Sequence, residues 1–383
     1  VQIVGAVTFA HLLNDLIQAT LPAIFPMLKS RFHLTFGQIG LVAMVYQFTA
    51  SLLQPWIGLY TDKHPKPYLL PMGMFMTLIG IGGVALANSY EALMLASAVI
   101  GVGSATFHPE ASRVARMASG GRFGTAQSAF QVGGNAGSAI GPLVASAIIL
   151  PFGQTSYGWL AIAAVAAIWT LFLVTRWRLR HPQAQASQAA TAPVSTSDRA
   201  TVIRALGVIC VLMFAKFIYI GSITNYFTFY LIERFGLTAQ QSQLYLFCFL
   251  AAVAAGTFFG GPVGDRVGRK AVIWTSFLGV APFALLMPHV DLFWTAILAI
   301  IIGLILSSAF AALVVYAQEI MPGRVGMVSG IMFGLMFGIS GIGAAALGHL
   351  ADAYGIVWVY SITAYLPLLG FATALLPRTK EHR

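Results

Sequence analysis

Apolar runs of about 20 residues, separated by short polar breaks, recur along the whole chain. Twelve can be drawn, at 3–28, 36–59, 68–87, 92–112, 125–149, 157–177, 202–231, 240–261, 271–288, 292–316, 326–348 and 356–377. At a rise of about 1.5 Å per residue, a helix of about 20 residues crosses a hydrocarbon layer of about 30 Å. The pattern predicts an all-α membrane protein with twelve transmembrane helices. Most breaks are short, which leaves no room for a soluble catalytic domain.

One break differs from the rest. Residues 178–200 form the longest polar stretch, and its Gln, Ala, Ser, Thr and Pro cannot build a packed core. It separates six runs from six, so bundles are expected at 1–177 and 201–383 with a flexible linker between them. The halves also match in sequence. Arg31-Phe32-x-Leu34-Thr35-x-x-Gln38 returns 203 residues later as Arg234-Phe235-x-Leu237-Thr238-x-x-Gln241. Gly58-x-x-x-Asp62 returns at the same offset as Gly261-x-x-x-Asp265, and Gly121-Arg122-x-Gly124 returns as Gly323-Arg324-x-Gly326. Parallel repeats of six spans imply two pseudo-symmetric six-helix bundles, related by an axis along the membrane normal, with a substrate site between them.

Charge sets the orientation. Only 8% of residues are charged, against about a quarter in a soluble protein, yet the net charge is +10. With the N-terminus inside, the inner loops hold 17 of the 21 Lys and Arg and the outer loops three, Lys29, Arg31 and Arg234. That bias is a positive-inside signal, so the basic excess orients the chain and needs no nucleic-acid partner. Both termini are expected in the cytoplasm. The first run contains His11, Asn14, Asp15 and Gln18 and is longer and more polar than the centre of a cleavable signal. A retained first helix is expected; because Val1 is not Met, so is a processed or trimmed chain. Cys210 and Cys248 lie in apolar runs and read as small core residues, with neither disulfide nor metal spacing.

The charges left inside the runs are the chemical candidates, since a charge at mid-bilayer costs about 2.5–3.5 kcal/mol even on permissive scales. His11, Asp15 and Gln18 share one helix face at i, i+4 and i+7. Asp15 then reads as a proton-carrying carboxylate beside a histidine, or as a structural hydrogen-bonded cluster. Glu110 follows Pro109, can pair with Arg113 at i+3, and has His108 within a turn. It reads as a proton relay or substrate contact, or as a local ion pair at a helix end. Lys216 is the one Lys or Arg well inside a run. With Tyr219, Ile223, Tyr226 and Tyr230 on one stripe it reads as a cavity lining that supplies a point charge to an anion. The alternatives are a lysine neutralised by Asp15 or Glu110, or one deprotonated by burial. Tyr46, Gln47, Gln54, Gln131 and Asn135 are uncharged candidates for substrate contact, each also explicable as a helix–helix hydrogen bond. Gly101-x-Gly103 lies in an apolar helix without a preceding strand, so a nucleotide site is rejected, and no Walker loop appears.

The run Gly261-Pro-Val-Gly-Asp265-Arg266-Val-Gly268-Arg269-Lys270 closely resembles the loop between the second and third helices in each half of the major facilitator superfamily. Its counterpart, Gly58-Leu-Tyr-Thr-Asp62-Lys63-His-Pro-Lys66, keeps the Gly, the Asp and a basic partner but has Pro65 where the family has Gly. Gly137-Ser-Ala-Ile-Gly141-Pro142 resembles a signature of the superfamily's proton-coupled exporters, without the two glycines that usually follow. The family arginine of the fourth helix is absent, with Ser97 near its place. In its stead stands Gly101-Val-Gly103-Ser-Ala-Thr-Phe107-His108-Pro109-Glu110-Ala-Ser-Arg113. That run, with His11-Leu-Leu-Asn14-Asp15, resembles the fosmidomycin-resistance branch of the superfamily.

The resemblance implies that Asp62, Lys63, Asp265, Arg266, Arg269, Gly137, Gly141 and Pro142 serve gating. It implies a proton-coupled antiporter that exports a small anionic drug, a fosmidomycin-like phosphonate, across the bacterial inner membrane. The proton gradient would be the energy source, with no cofactor and no metal. The partners expected are a small anionic substrate, protons and the lipid bilayer, with the protein acting as a monomer. Two competitors remain: an importer of an organic anion or sugar, and a transporter-like receptor that moves nothing. An intramembrane enzyme is not expected, since no nucleophile–base pair or metal set appears at a recognisable spacing.

Overall fold

In a computed structural model, the residues described are 2–64, 66–119, 123–181, 199–267, 269–308, 313, 316–317, 320 and 325–376. The linker core, 182–198, lies outside them. The described residues are helical almost throughout: α1 (Gln2–Ala23), α2 (Phe25–Phe32), α3 (Phe36–Lys63), α4 (Leu69–Leu86), α5 (Tyr90–Met117), α6 (Phe123–Val144) and α7 (Leu160–Arg180) in the first half. The second half holds α8 (Arg199–Phe235), α9 (Ala239–Val267), α10 (Arg269–Leu278), α11 (Ala281–Leu286), α12 (Leu292–Ser307), α13 (Val325–Tyr354) and α14 (Ile356–Thr363). A π-helical turn, Ala145–Ile149, continues α6, and 3-10 segments continue α11 and follow α14.

Ten of the described helical stretches are long and apolar enough to cross a membrane. Of the two other expected runs, one maps onto α1, whose embedded polar residues dilute its hydropathy, and the other onto the 16-residue α12. The outer surface fits lipid. Trp56, Leu86, Trp159, Ile162, Trp169 and Phe293 are all exposed, a surface that would aggregate in water but matches acyl chains. The two cysteines correct the sequence reading: Cys210 is exposed and Cys248 half-buried. On a helix that faces lipid, an apolar position need not be a core position.

The internal repeat has a physical cause at its clearest match. Thr35 caps α3: its hydroxyl accepts from the Gln38 N–H (3.1 Å), and the Gln38 side chain accepts from the Thr35 N–H (2.9 Å). Thr238 and Gln241 do the same at the start of α9, at 3.2 and 3.0 Å. Two of the N–H groups orphaned at each helix start are satisfied by one Thr-x-x-Gln pattern.

Two seams join the halves. Helix α3 packs along α13, and α6 packs along α9. At the end that carries loops 33–35 and 236–238 the seams are tied by hydrogen bonds. The Asp352 carboxylate of α13 accepts from the backbone N–H groups of Phe36 and Gly37, both at 2.7 Å. Gln243 of α9 donates to the Ala23 carbonyl (2.7 Å), and Ser146 and Gln240 bond reciprocally. Within the first half, α1 packs along α6 with backbones almost touching. A Cβ on Gly137 would collide with the Leu12 carbonyl, and one on Gly141 would stand 2.7 Å from Ala19. Small residues here replace the missing hydrophobic drive between helices in lipid with close contact.

Candidate functional site

Three helices of the first half bring three ionisable side chains together. Asp15 comes from α1, one turn after His11; His108 comes from α5; α6 closes the third side. His11 is stacked on Phe130 with ring centroids 4.0 Å apart. Its Nδ1 lies 2.7 Å from the Phe130 carbonyl. A carbonyl oxygen only accepts, so this nitrogen carries the hydrogen. That leaves Nε2 facing Asp15 Oδ2 at 3.3 Å, within ion-pair range though not aligned as a hydrogen bond. His108 repeats the arrangement more loosely: Nδ1 is 3.4 Å from the Ser104 carbonyl, and Nε2 is 3.5 Å from Asp15 Oδ1. The Asn14 amide donates to Oδ1 (2.9 Å) and steadies the carboxylate.

Donor arithmetic gives the site its meaning. With a neutral imidazole and an ionised carboxylate, His11 Nε2 and Asp15 Oδ2 would be two acceptors face to face. A proton belongs between them, on one or the other. Gly134 of α6 keeps that gap free, since a Cβ there would stand 2.7 Å from Asp15 Oδ2 and nearer still to the His11 ring. His11 is fully enclosed, whereas the Asp15 and His108 side chains are 17% and 14% exposed, so the pair has an open side.

Glu110 is held differently. It is wholly buried, with Arg113 donating to Oε1 at 2.6 Å and Arg178 donating to Oε2 at 3.0 Å. Arg113 also donates to the Thr61 hydroxyl (3.0 Å) and so ties α5 to α3. The expected Glu110–Arg113 pair is therefore present. Arg178 was missed, because by position it reads as one more orienting arginine at the start of the linker. The structure corrects that boundary: α7 runs through Arg180, and Arg178 is 1% exposed, drawn into the bundle by the buried carboxylate.

Lys216 lies in the second half, buried, with Nζ donating to the carbonyls of Leu306 (2.9 Å) and Ser307 (3.5 Å) at the C-terminal end of α12. A cation there complements the negative end of the helix. The stripe that follows it, Tyr219, Ile223, Tyr226 and Tyr230, is real but packed: Tyr226 donates to the Ala344 carbonyl (2.6 Å), and Tyr230 stacks on Tyr360. It is core between α8, α13 and α14, not an open lining.

The uncharged candidates split. Gln18 donates to Ser104 (2.7 Å) and accepts from the Tyr46 hydroxyl (2.5 Å), a chain that ties α1 to α5 and α3 one turn from Asp15. Gln47 is buried where α3 meets Gly341 of α13. Gln54 donates to the Ala50 carbonyl of its own helix. Gln131 and Asn135 are half-buried on α6, and Asn135 Nδ2 finds no protein partner. Of the gating candidates, Gly137, Gly141 and Pro142 lie on α6, where the two glycines meet α1. The side chains of Asp62, Lys63, Asp265, Arg266 and Arg269 lie outside the described residues.

Helical halves joined along two seams, with ionisable groups enclosed in membrane-spanning helices, define a multi-pass membrane transporter. The family model of the Major Facilitator Superfamily matches residues 7–239 and 209–383. The chain belongs to that superfamily. It is 52% identical over 379 residues, 99% of this chain and 93% of the relative, to the fosmidomycin resistance protein of Escherichia coli (strain K12). An uncharacterized MFS-type transporter of Bacillus subtilis (strain 168), YfnC, is 41% identical over 97% of this chain and 92% of its own length. Among solved structures, a crystal structure of the nucleoside transporter NupG superposes with a TM-score of 0.75 at 15% identity, covering 98% of this chain and all of that one. The human organic anion transporter MFSD10 gives 0.71 at 16%, covering 98% and 99%. At such identities the likeness is one of fold.

Proposed function

We propose that this transporter exchanges protons for a small anionic drug of the phosphonate class and exports it across the bacterial inner membrane. The observation that carries the coupling is the contact between His11 Nε2 and Asp15 Oδ2, which is complete only with one proton between them. The substrate class rests on the 52% identity, over nearly the whole chain, to a protein named for fosmidomycin resistance. The two support each other electrically. Each elementary charge crossing the membrane is worth about 2.3 kcal/mol per 100 mV. With the inside negative, an entering proton and a leaving anion both move downhill. The proton gradient and the membrane potential then supply the energy.

The positive-inside bias puts both termini in the cytoplasm and the Asp352 end outside. The bundles are thus latched on the outer side, and the Asp62 and Asp265 loops lie on the inner side as gates. Asp15 is the proton carrier, flanked by His11 and His108. Glu110, saturated by two guanidiniums, pins α5 to α7 and α3 instead. Lys216 supplies positive charge to the anion by exchanging the α12 carbonyls for substrate, and Arg113, Gln18, Tyr46, Gln47, Gln131 and Asn135 shape the path.

Everted membrane vesicles test the reading. Fosmidomycin added to energised vesicles that contain this protein should release protons, read by a pH-sensitive dye. Cells expressing it should tolerate more drug, and a protonophore should remove that tolerance. Drug-evoked proton movement undiminished in Asp15→Asn would refute the assignment of the carrier.

A further inference from the structure

A pocket shaped to hold a proton between imidazole and carboxylate also has the chemistry of a metal site. One ligating atom each from His11, Asp15 and His108 can be chosen so that all three lie within 4.8 Å of one another. We propose that this triad binds a divalent transition ion of the zinc type, and that the bound ion takes the proton's place and arrests transport. The inhibitory half rests on the proton-exchange reading above; the binding half does not.

Four observations converge. First, the donor set is right. Two neutral imidazoles and one carboxylate suit zinc, whereas magnesium and calcium prefer oxygen alone. Second, the spacing is right. Ligands at about 2.0–2.1 Å from a tetrahedral zinc stand about 3.3 Å from each other. Here His11 Nε2 stands 3.3 Å from Asp15 Oδ2 and His108 Nε2 stands 3.5 Å from Oδ1, so each imidazole is at ligand spacing from one oxygen of the carboxylate.

Third, the ring orientations are those a metal requires. Both Nδ1 atoms face backbone carbonyls, of Phe130 and Ser104, which leaves both Nε2 atoms turned to the carboxylate. Metal-binding histidines are fixed in this way by their second nitrogen. Fourth, His11 Nε2 is buried and has no hydrogen-bond partner, although it stands 3.3 Å from Asp15 Oδ2. Gly134 leaves the space between it and Asp15 clear, and the Asn14 amide holds the carboxylate. Three protein ligands leave a fourth position for water, on the side where Asp15 and His108 are partly exposed.

The test uses the full chain, purified in detergent with any affinity tag removed. Zinc ion is titrated by calorimetry, with magnesium as the control. One site per chain is expected, with a micromolar dissociation constant and no magnesium response. His11→Asn and His108→Asn should each weaken zinc binding more than about tenfold. His108→Cys, which returns a zinc ligand at the same place, should restore it; this variant separates loss of a ligand from loss of the fold. In everted vesicles, micromolar zinc should stop fosmidomycin-evoked proton release, and a chelator should reverse the block.

Absence of zinc binding to the parent overturns the proposal, as does binding that survives both histidine substitutions. Zinc held by the triad without slowing transport overturns its inhibitory half. The proton reading is judged separately, by Asp15→Asn in zinc-free vesicles.

Discussion

Replacing Glu110 with glutamine separates its role from that of Asp15. Glu110 is fully enclosed and takes one guanidinium on each oxygen, at 2.6 and 3.0 Å. Glutamine keeps the shape but loses the charge. Arg178 is then left buried without a counter-charge, and its Nε already has no partner. Removing one partner of a buried ion pair is worth about 3–5 kcal/mol. The substituted amide oxygen still accepts one hydrogen bond, worth about 1 kcal/mol, so a net loss of about 2–4 kcal/mol follows. At about 1.2 °C per kcal/mol for a chain of 383 residues, the melting midpoint falls by about 2–5 °C. Fluorescence-detected size exclusion of heated, detergent-solubilised protein would measure this. The double variant Glu110→Gln, Arg178→Met should recover much of the loss, because the orphaned cation goes with its partner. A Glu110→Gln protein as stable as its parent, but unable to exchange protons for drug, would refute the clamp and make Glu110 the carrier.

Four further outcomes are expected. Asp15→Asn should stay within about 1 kcal/mol of the parent in stability, since its contacts are imidazoles and an amide, while drug-evoked proton movement disappears in the vesicle assay. Gly137→Leu should abolish activity and lower folded yield, because even a single Cβ meets the Leu12 carbonyl of α1; overpacking of this kind costs about 1–3 kcal/mol or more. Asp352→Asn should loosen the latch on the start of α3, shifting the population toward a form open at the Asp352 end by about 5–30-fold for a loss of about 1–2 kcal/mol; cysteine labelling along the Asp352 half of the α3–α13 seam would report it. Lys216→Gln should weaken an anionic substrate far more than a neutral analogue, with Lys216→Arg milder, in a direct binding assay; equal losses would make Lys216 a structural cap of α12 alone.

Hydropathy made the spans legible, and each expected run falls on helix in the described residues. The repeat was legible because a capping box must be spelled in local sequence, and Thr35/Gln38 and Thr238/Gln241 spell it twice. The site was legible on one side. His11 and Asp15 are joined by helical periodicity, and so are Glu110 and Arg113. Contacts between helices were not: His108 reaches Asp15 only through the packing of α5 on α1, which no spacing encodes. Arg178 was hidden for a related reason, since an arginine that orients the chain and one that neutralises a buried glutamate look alike until α7 is laid against α5. Asp352 was invisible too, as its partners are backbone N–H groups 316 and 315 residues away. The tyrosine stripe misled because an amphipathic pattern shows which residues share a face, not whether that face meets a cavity or another helix.

Asp15 and Glu110 differ in the partners that hold them. A guanidinium stays charged under all working conditions, so Glu110 is held by two fixed cations, one on each oxygen. Asp15 instead faces two imidazoles, whose charge is not fixed in the way a guanidinium's is. The two centres share α5, with His108 and Glu110 on either side of Pro109. Proline removes one helical hydrogen bond, so α5 is least constrained by its own backbone near this point. The Glu110 clamp to α7 supplies constraint from outside the helix. On the proposed reading it fixes where the His108 ring is presented to Asp15. A weakened clamp should then disturb coupling indirectly: Arg178→Lys, which keeps the charge but loses the fork, should slow proton exchange while leaving Asp15 and both histidines intact. If exchange is unchanged although the 3.0 Å contact to Glu110 is lost, α5 is positioned by packing alone.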